Sequence, residues 1–382
     1  MEPHLASQGV TVIYSPHGRD PPLGHDRVTR LGIAARIAAL RGQEFGGEYD
    51  PAARYPGPVY FVPGDTLIGL EEARALGIGC EDDLFGAVVP HPFIATKAIT
   101  HPLKGPEARA PEGWSESFGR RVGEVVLAGF TAFTPQDAWL AGVDLLESVG
   151  RLRVKPVREA GGRGQVVVSD ASALEAAIAA VDPAELAAYG LVLEQNLSRV
   201  TTHSVGQVRL AGMVASYWGT QRLTPDNGGL FVYGGSDLLI VPGGFDVLLA
   251  TEQLSPEARL AVTQACAYDA AAGECFPGLF ASRRNYDIAQ GFDTKGAWRS
   301  GVLEQSWRIG GATGAEIAAL EAFRVRPGLR RLRASTVELY GGDAGAPPPT
   351  PPPQAVVYFC GLDERCGPIT KYVTVDDDHA DA

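Results

Sequence analysis

The chain has 382 residues, 45% of them hydrophobic and 20% charged, which suits a globular protein with room for two or three packed units. Its net charge of −12 disfavours a general nucleic-acid or membrane-surface role, because phosphate needs clustered cations. No apolar run approaches the ~20 residues of a membrane span, and MEPHLASQGVTVIYSPHGRD lacks a charged start followed by an apolar core, so no secretory signal is expected.

The five cysteines, Cys80, Cys266, Cys275, Cys360 and Cys366, show no zinc-like spacing. Reduced thiols in the cytoplasm are the expectation, with a Cys360–Cys366 pair across a turn as the alternative.

In chain order, GVTVIYSP reads as a buried parallel strand. The loop HGRDPPLGHD follows, and its His17 and His25 sit where open α/β units bind ligands. RVTRLGIAARIAALRG has helical apolar spacing, with Asp26 as cap and Gly42 as stop. PVYFVPGDTL is a second strand, LEEARALGI a short helix and FGAVVPHPF a third strand. This order predicts a small open α/β unit. It lacks the G-x-G-x-x-G spacing of dinucleotide enzymes.

Thr134-Pro135 opens a helix that ends at Gly150. Residues 151–156 then alternate, with Leu152 and Val154 on one face and Arg153 and Lys155 on the other. The glycine loop VREAGGRG joins this strand to QVVV, and Ser169 or Asp170 caps the next helix. A glycine loop between two strands is a hairpin flap, which excludes a P-loop opening a helix. LVLEQNL is a strand, SVGQVRLAGMVASYWGTQR a hairpin turning at Ala211-Gly212, and TPDNGGLFVYGGSD a loop with an edge strand. A helix capped by Ser255 follows. NYDIA and WRSGVLEQSWRI are two strands, and GATGAEIAALEAF is a helix. GGDAGAPPPTPPP is a proline-rich linker, and a terminal hairpin and an acidic tail complete the chain.

The chemistry concentrates in VLEQSWRIGG. Glu304, Ser306 and Arg308 share one strand face. Asp287, on the strand before, can stand opposite Glu304. Paired carboxylates repel unless a cation lies between them. Mg²⁺ suits one or two carboxylates with nucleotide phosphates completing its shell.

With Lys97, Lys155 and the flap upstream, the order of parts resembles the ATP-grasp superfamily, and within it an uncharacterised bacterial group of unknown function. The resemblance implies an α/β N-terminal pre-ATP-grasp domain plus two α+β lobes. Expected boundaries are 1–95 for the first, 96–190 for the lobe with the flap and 191–340 for the lobe with the metal site. The linker is 341–353, and the hairpin and tail are 354–382. The resemblance further implies that Lys97 and Lys155 contact phosphates and that Gly161, Gly162 and Gly164 form the cover over the triphosphate. Glu194-Gln195-Asn196-Leu197 is the implied hinge, with the backbone of Gln195 and Leu197 on adenine and Glu194 on the ribose; His203 stands near the family's usual ribose position. Asp287, Glu304 and Ser306 would hold one or two Mg²⁺ ions, with Mn²⁺ as a substitute. Ser306 replaces the asparagine of the family's E-x-N-x-R pattern. Arg308, with Arg283 or Arg284, would stabilise the reacting acyl phosphate. The implied activity is ATP-dependent ligation of a carboxylate to an amine, less expectedly to a thiol. The alternatives are a kinase on the same lobes and a non-catalytic ATP-binding module. Implied partners are a small-molecule or peptide carboxylate and an amine, with no nucleic acid or membrane; a homodimer is compatible.

Overall fold

The computed structural model describes residues 9–16, 24–158, 164–342 and 346–376. His17, Gly161 and Gly162 fall outside these ranges. The strand Val10–Tyr14 is buried throughout and pairs in parallel with Glu44–Glu48 on one side and Val59–Pro63 on the other. EFGGE carries little strand signal, so the sequence pattern misses Glu44–Glu48. The helix Gly24–Arg41 packs against this sheet through Ile33 and Ile37. Gly42 ends it as expected, at φ 66°, with Gly42 and Gln43 N–H returning to Ala39 and Ala38 carbonyls. Asp26 lies in the first turn and does not cap it. Asp363, from the terminal hairpin, accepts from the His25 N–H at 2.8 Å.

Ala87–Val89 forms a strand as expected but not in the first sheet. It lies between Leu67–Ile68 and Phe280–Ala281, so the N-terminal unit is stitched to the far half of the chain.

A four-stranded antiparallel sheet runs Gly129–Ala132, Leu191–Gln195, Leu152–Pro156, Val166–Val168. Helices Pro135–Val149 and Ala171–Ala179 cover it around Leu145, Leu152, Leu174 and Leu193. Thr134 and Asp170 cap those helices, and Gly150 takes the left-handed stop. The flap joins Leu152–Pro156 to Val166–Val168, a hairpin as the sequence predicts.

An eight-stranded antiparallel sheet follows. Its spatial order is Trp298–Ser306, Arg283–Phe292, Ser198–Leu210, Met213–Pro225, Phe231–Pro242, Leu332–Tyr340, Gly367–Asp376, Val356–Asp363. Phe231–Pro242 is therefore an interior strand, not a loop and edge. Its glycines mark a bulge opposite Arg222 and Leu223, where Gly235 has φ 129°. The terminal hairpin forms as expected and extends this sheet by pairing with Leu332–Tyr340. The helix Pro256–Cys275, capped by Ser255, packs on one face against Tyr286 and Ile288. The helix Thr313–Val325 packs on the other, against Val208, Tyr217 and Ile240. All five cysteines are free thiols. Among the described residues no helix is long and apolar enough to cross a membrane.

Candidate active site

Asp287 and Glu304 are direct partners across Arg283–Phe292 and Trp298–Ser306, and Asn285 and Ser306 are the next pair along. All four share one face, because the interval between pairs is two residues. Immediately beyond Glu304 the register slips: Ile288 pairs with Val302, leaving Leu303 as an extra residue. Such a bulge re-aims side chains next to it.

Burial pushes the Asp287 carboxyl up to about 6, and the facing Glu304 adds to this; hydrogen bonds from Gln221, Asn285 and Ser204 only partly counter it. Burial pushes Glu304 the same way, but Lys97, whose Nζ lies 2.7 Å from its Oε2, outweighs burial, helped by Lys155 and Arg308. Two half-buried acids, with Lys97 the one cation at bonding distance among the described residues, form a donor set that favours a divalent ion, so the residues present fit Mg²⁺. Lys97 reaches the pair from a short 3₁₀ turn, Lys97–Thr100, whose cap is Thr96.

Lys155 Nζ lies 2.5 Å from Glu194 Oε1, and His101 Nε2 lies 3.0 Å from Glu194 Oε2. All three side chains are buried. Burial would raise the Glu194 carboxyl, yet Lys155 and His101 hold it down at about 2. Burial also pulls the Lys155 ammonium down, against the pull of Glu194. The pair stays ionic, because two donors, Lys155 and His101, hold the carboxylate charged. Both oxygens of Glu194 are engaged in this structure, and it anchors Lys155. His101 escaped the sequence reading, since nothing local links it to a residue 93 positions away.

In the expected hinge, Ala128 O takes the Gln195 N–H at 2.8 Å. Leu197 packs with Leu127 and Ala289, beside Leu303. Gly164 is described, at φ 66°, just before the second flap strand.

The two arginines separate. Arg284 lies on the opposite face from Asp287 and pairs with Asp269 of the Pro256–Cys275 helix at 3.2 Å. Arg283 is on the Asp287 side but 1% exposed. Its guanidinium is consumed by Glu316 at 2.7 Å and by the Ser306 and Arg308 carbonyls at 2.9 and 2.6 Å. In this structure Arg283 is thus engaged by Glu316 and two backbone carbonyls, and Arg284 by Asp269. Arg308 acts on the charge of Glu304, and its Nε lies 3.5 Å from Asp65 in the turn after Val59–Pro63.

His203 faces away from the acids. It sits between Gln290 and Trp218, whose Nε1 donates to Nδ1, and burial pulls its pKa down. Its neighbour Ser204 is the residue that turns to Asp287. His25 stacks edge-on to Phe359 and lies 3.2 Å from Lys371 Nζ, so it belongs to the clasp between first helix and terminal hairpin. Donor atoms of His25, Asp363 and Cys366 lie within 4.8 Å of one another. There, Asp363 already accepts from the backbone N–H of His25, Arg365 and Cys366, which accounts for its position.

No curated protein matches the chain. Among solved structures, N5-carboxyaminoimidazole synthase from Aspergillus clavatus, in complex with ADP and 5-aminoimidazole ribonucleotide, is 13% identical, with 97% of this chain and 95% of that chain covered and a TM-score of 0.50. Biotin carboxylase from Campylobacter jejuni is 11% identical, covering 97% and 88%, at a TM-score of 0.49. D-alanyl-alanine synthetase A from Vibrio cholerae is 12% identical, covering 79% and 89%, at 0.45. The fold is the ATP-grasp fold, a mixed α/β architecture. Residues 13–373 match one family, and the chain belongs to it: the family described as protein of unknown function (DUF3182).

Proposed function

We propose that this protein is an ATP-dependent ligase that activates a carboxylate as an acyl phosphate and passes the acyl group to an amine. The observation that carries the reading is the convergence of Asp287, Glu304 and Lys97 on one sheet face, with Lys155 close enough to act on Glu304. Mg²⁺ held by Asp287 and Glu304, with Ser306 beside them, would supply charge neutralisation for the β- and γ-phosphates. Lys97 and Lys155 offset further phosphate charge. The apolar cluster of Leu127, Leu197 and Ala289 offers a surface for a purine, and the Gln195 carbonyl offers an acceptor for its amino group. Arg308, tethered to Asp65 at the carboxyl end of a parallel strand, stands where a substrate carboxylate would enter. The hairpin flap excludes water so that the acyl phosphate meets the amine and not hydroxide. The N5-carboxyaminoimidazole synthase of like fold is solved with ADP and 5-aminoimidazole ribonucleotide, which supports nucleotide binding here.

The test is ADP and phosphate release from ATP with pooled carboxylic acids and amines, with Glu304→Gln alongside. A ligase yields an amide and free phosphate, and the variant loses turnover. A stable phosphorylated product would make it a kinase. ATP binding with no turnover on any pool would leave a binding module.

A further inference from the structure

The amide of Asn285 lies between two oxygens. As placed, its Oδ1 lies 2.8 Å from the Tyr217 hydroxyl and its Nδ2 lies 3.0 Å from Asp287 Oδ1. The Tyr217 hydroxyl is also 2.6 Å from Glu316 Oε1. Glu316 is clasped by Arg283 through Nε and Nη2, so it only accepts. A phenol has one proton to give. It goes to Glu316, the charged acceptor at the shorter distance. The Tyr217 oxygen then faces Asn285 with a lone pair, and the amide must offer it an N–H. Oxygen and nitrogen of an amide exchange places by a half-turn that moves no heavy atom. In the orientation Tyr217 demands, the Asn285 carbonyl oxygen points at Asp287.

That orientation leaves two acceptor oxygens 3.0 Å apart in a partly buried site. Oxygen ligands at about 2.1 Å and at right angles around Mg²⁺ stand about 3 Å from each other. Asn285 is also the direct cross-strand partner of Ser306, on the face that Asp287 and Glu304 share.

We propose that Asn285, through its side-chain oxygen, is a ligand of the divalent cation held by Asp287 and Glu304. This rests on the metal reading of the site given above. Gln221 and Ser204 serve it from behind: Gln221 donates to Ser204 at 3.0 Å, and Ser204 to Asp287 at 3.3 Å, fixing the carboxylate beside the amide.

The test is Mn²⁺ binding to the full chain, with and without ADP, read from the electron paramagnetic resonance of the free ion. Asn285→Ala is expected to weaken binding by ~10-fold. Asn285→Asp keeps an oxygen there and is expected to bind at least as tightly as wild type. Asn285→Ala combined with Ser306→Asn is expected to recover most of the loss. Asn285→Ala binding as wild type does, or Asn285→Asp as weak as Asn285→Ala, would overturn the inference. Should Asn285→Ala not fold, Asn285→Asp decides alone, because a role as amide donor predicts loss where a ligand predicts retention. Wild type that binds no Mn²⁺ in either condition defeats the metal reading itself, a different outcome from wild-type binding that ignores position 285.

Discussion

Lys155 and Glu194 form an ion pair of 2.5 Å inside the protein, with both side chains at most 5% exposed, and His101 completes it from the other side. Breaking a buried pair from one side strands a charge, which costs about 3–5 kcal/mol. Lys155→Met should lose that much stability in urea unfolding, and Lys155→Met with Glu194→Leu should lose less. Equal losses would show that the pair is not the source of the cost.

The same pair sets an acid limit. Glu194 sits at about 2 in the fold against an ordinary 4.5. A lowered carboxylate contributes stability that is fully present above the ordinary value and is lost as pH falls through the folded value. Wild type should therefore exceed Glu194→Gln in unfolding midpoint at pH 7. The gap should narrow steadily below about pH 4.5. A gap that stays constant down to acid pH would contradict this.

Asp287 and Glu304 oppose each other with Lys97 bonded to only one of them. In EDTA, Asp287→Asn should be more stable than wild type, because it removes one of two repelling charges. Added Mg²⁺ should then stabilise wild type, by about 2.7 kcal/mol at a hundredfold excess over Kd, raising its midpoint, and leave the variant unmoved. Calorimetric melting in both buffers checks it. A midpoint in wild type that ignores Mg²⁺ would remove the support for a cation between these acids.

Much of this was legible from local pattern. The alternation in VLEQSWRIGG put Glu304 and Ser306 on one face and predicted Asp287 opposite, and the register agrees. Thr134-Pro135, Gly150 and Ala211-Gly212 mark their helix and turn positions because each carries backbone chemistry in its own residues. Phe231–Pro242 was not legible as an interior strand, because its glycines signal a loop while its partners, Met213–Pro225 and Leu332–Tyr340, are set by tertiary pairing. The fates of Arg283 and Arg284 follow from parity along a strand whose start the sequence does not fix. Glu316, His101 and Tyr217 come to the site from distant segments, and no local spacing announces them.

Those two arginines make a contrast that stability can read. Arg283 is clasped by Glu316 with both side chains at most 1% exposed, so Arg283→Met should cost about 3–5 kcal/mol. Arg284 pairs with Asp269 where both remain partly exposed, so Arg284→Ala should cost about 1 kcal/mol or less. Denaturant midpoints of the two variants check this. Comparable costs would mean that the buried guanidinium is not the anchor of this face.

Gly206 lies between Asn285 and Tyr217, its partners on either side. A Cβ there would fall well inside 3.0 Å of the Tyr217 hydroxyl and of the Arg284 carbonyl oxygen. The carbonyl belongs to a neighbouring strand of the sheet and cannot withdraw, so the tyrosine must. Gly206→Ala should then detach Tyr217 from Asn285 and Glu316 and cost about 1–3 kcal/mol. Gly212 is the comparison. It has φ 74° and nothing within 4 Å, so Gly212→Ala pays only for its backbone conformation, about 1 kcal/mol. Mn²⁺ affinity separates the two further, because only the first change disturbs the amide beside Asp287. Gly206→Ala should weaken the ion and Gly212→Ala should not; matching effects on stability and on Mn²⁺ would mean that Tyr217 does not hold Asn285 in place.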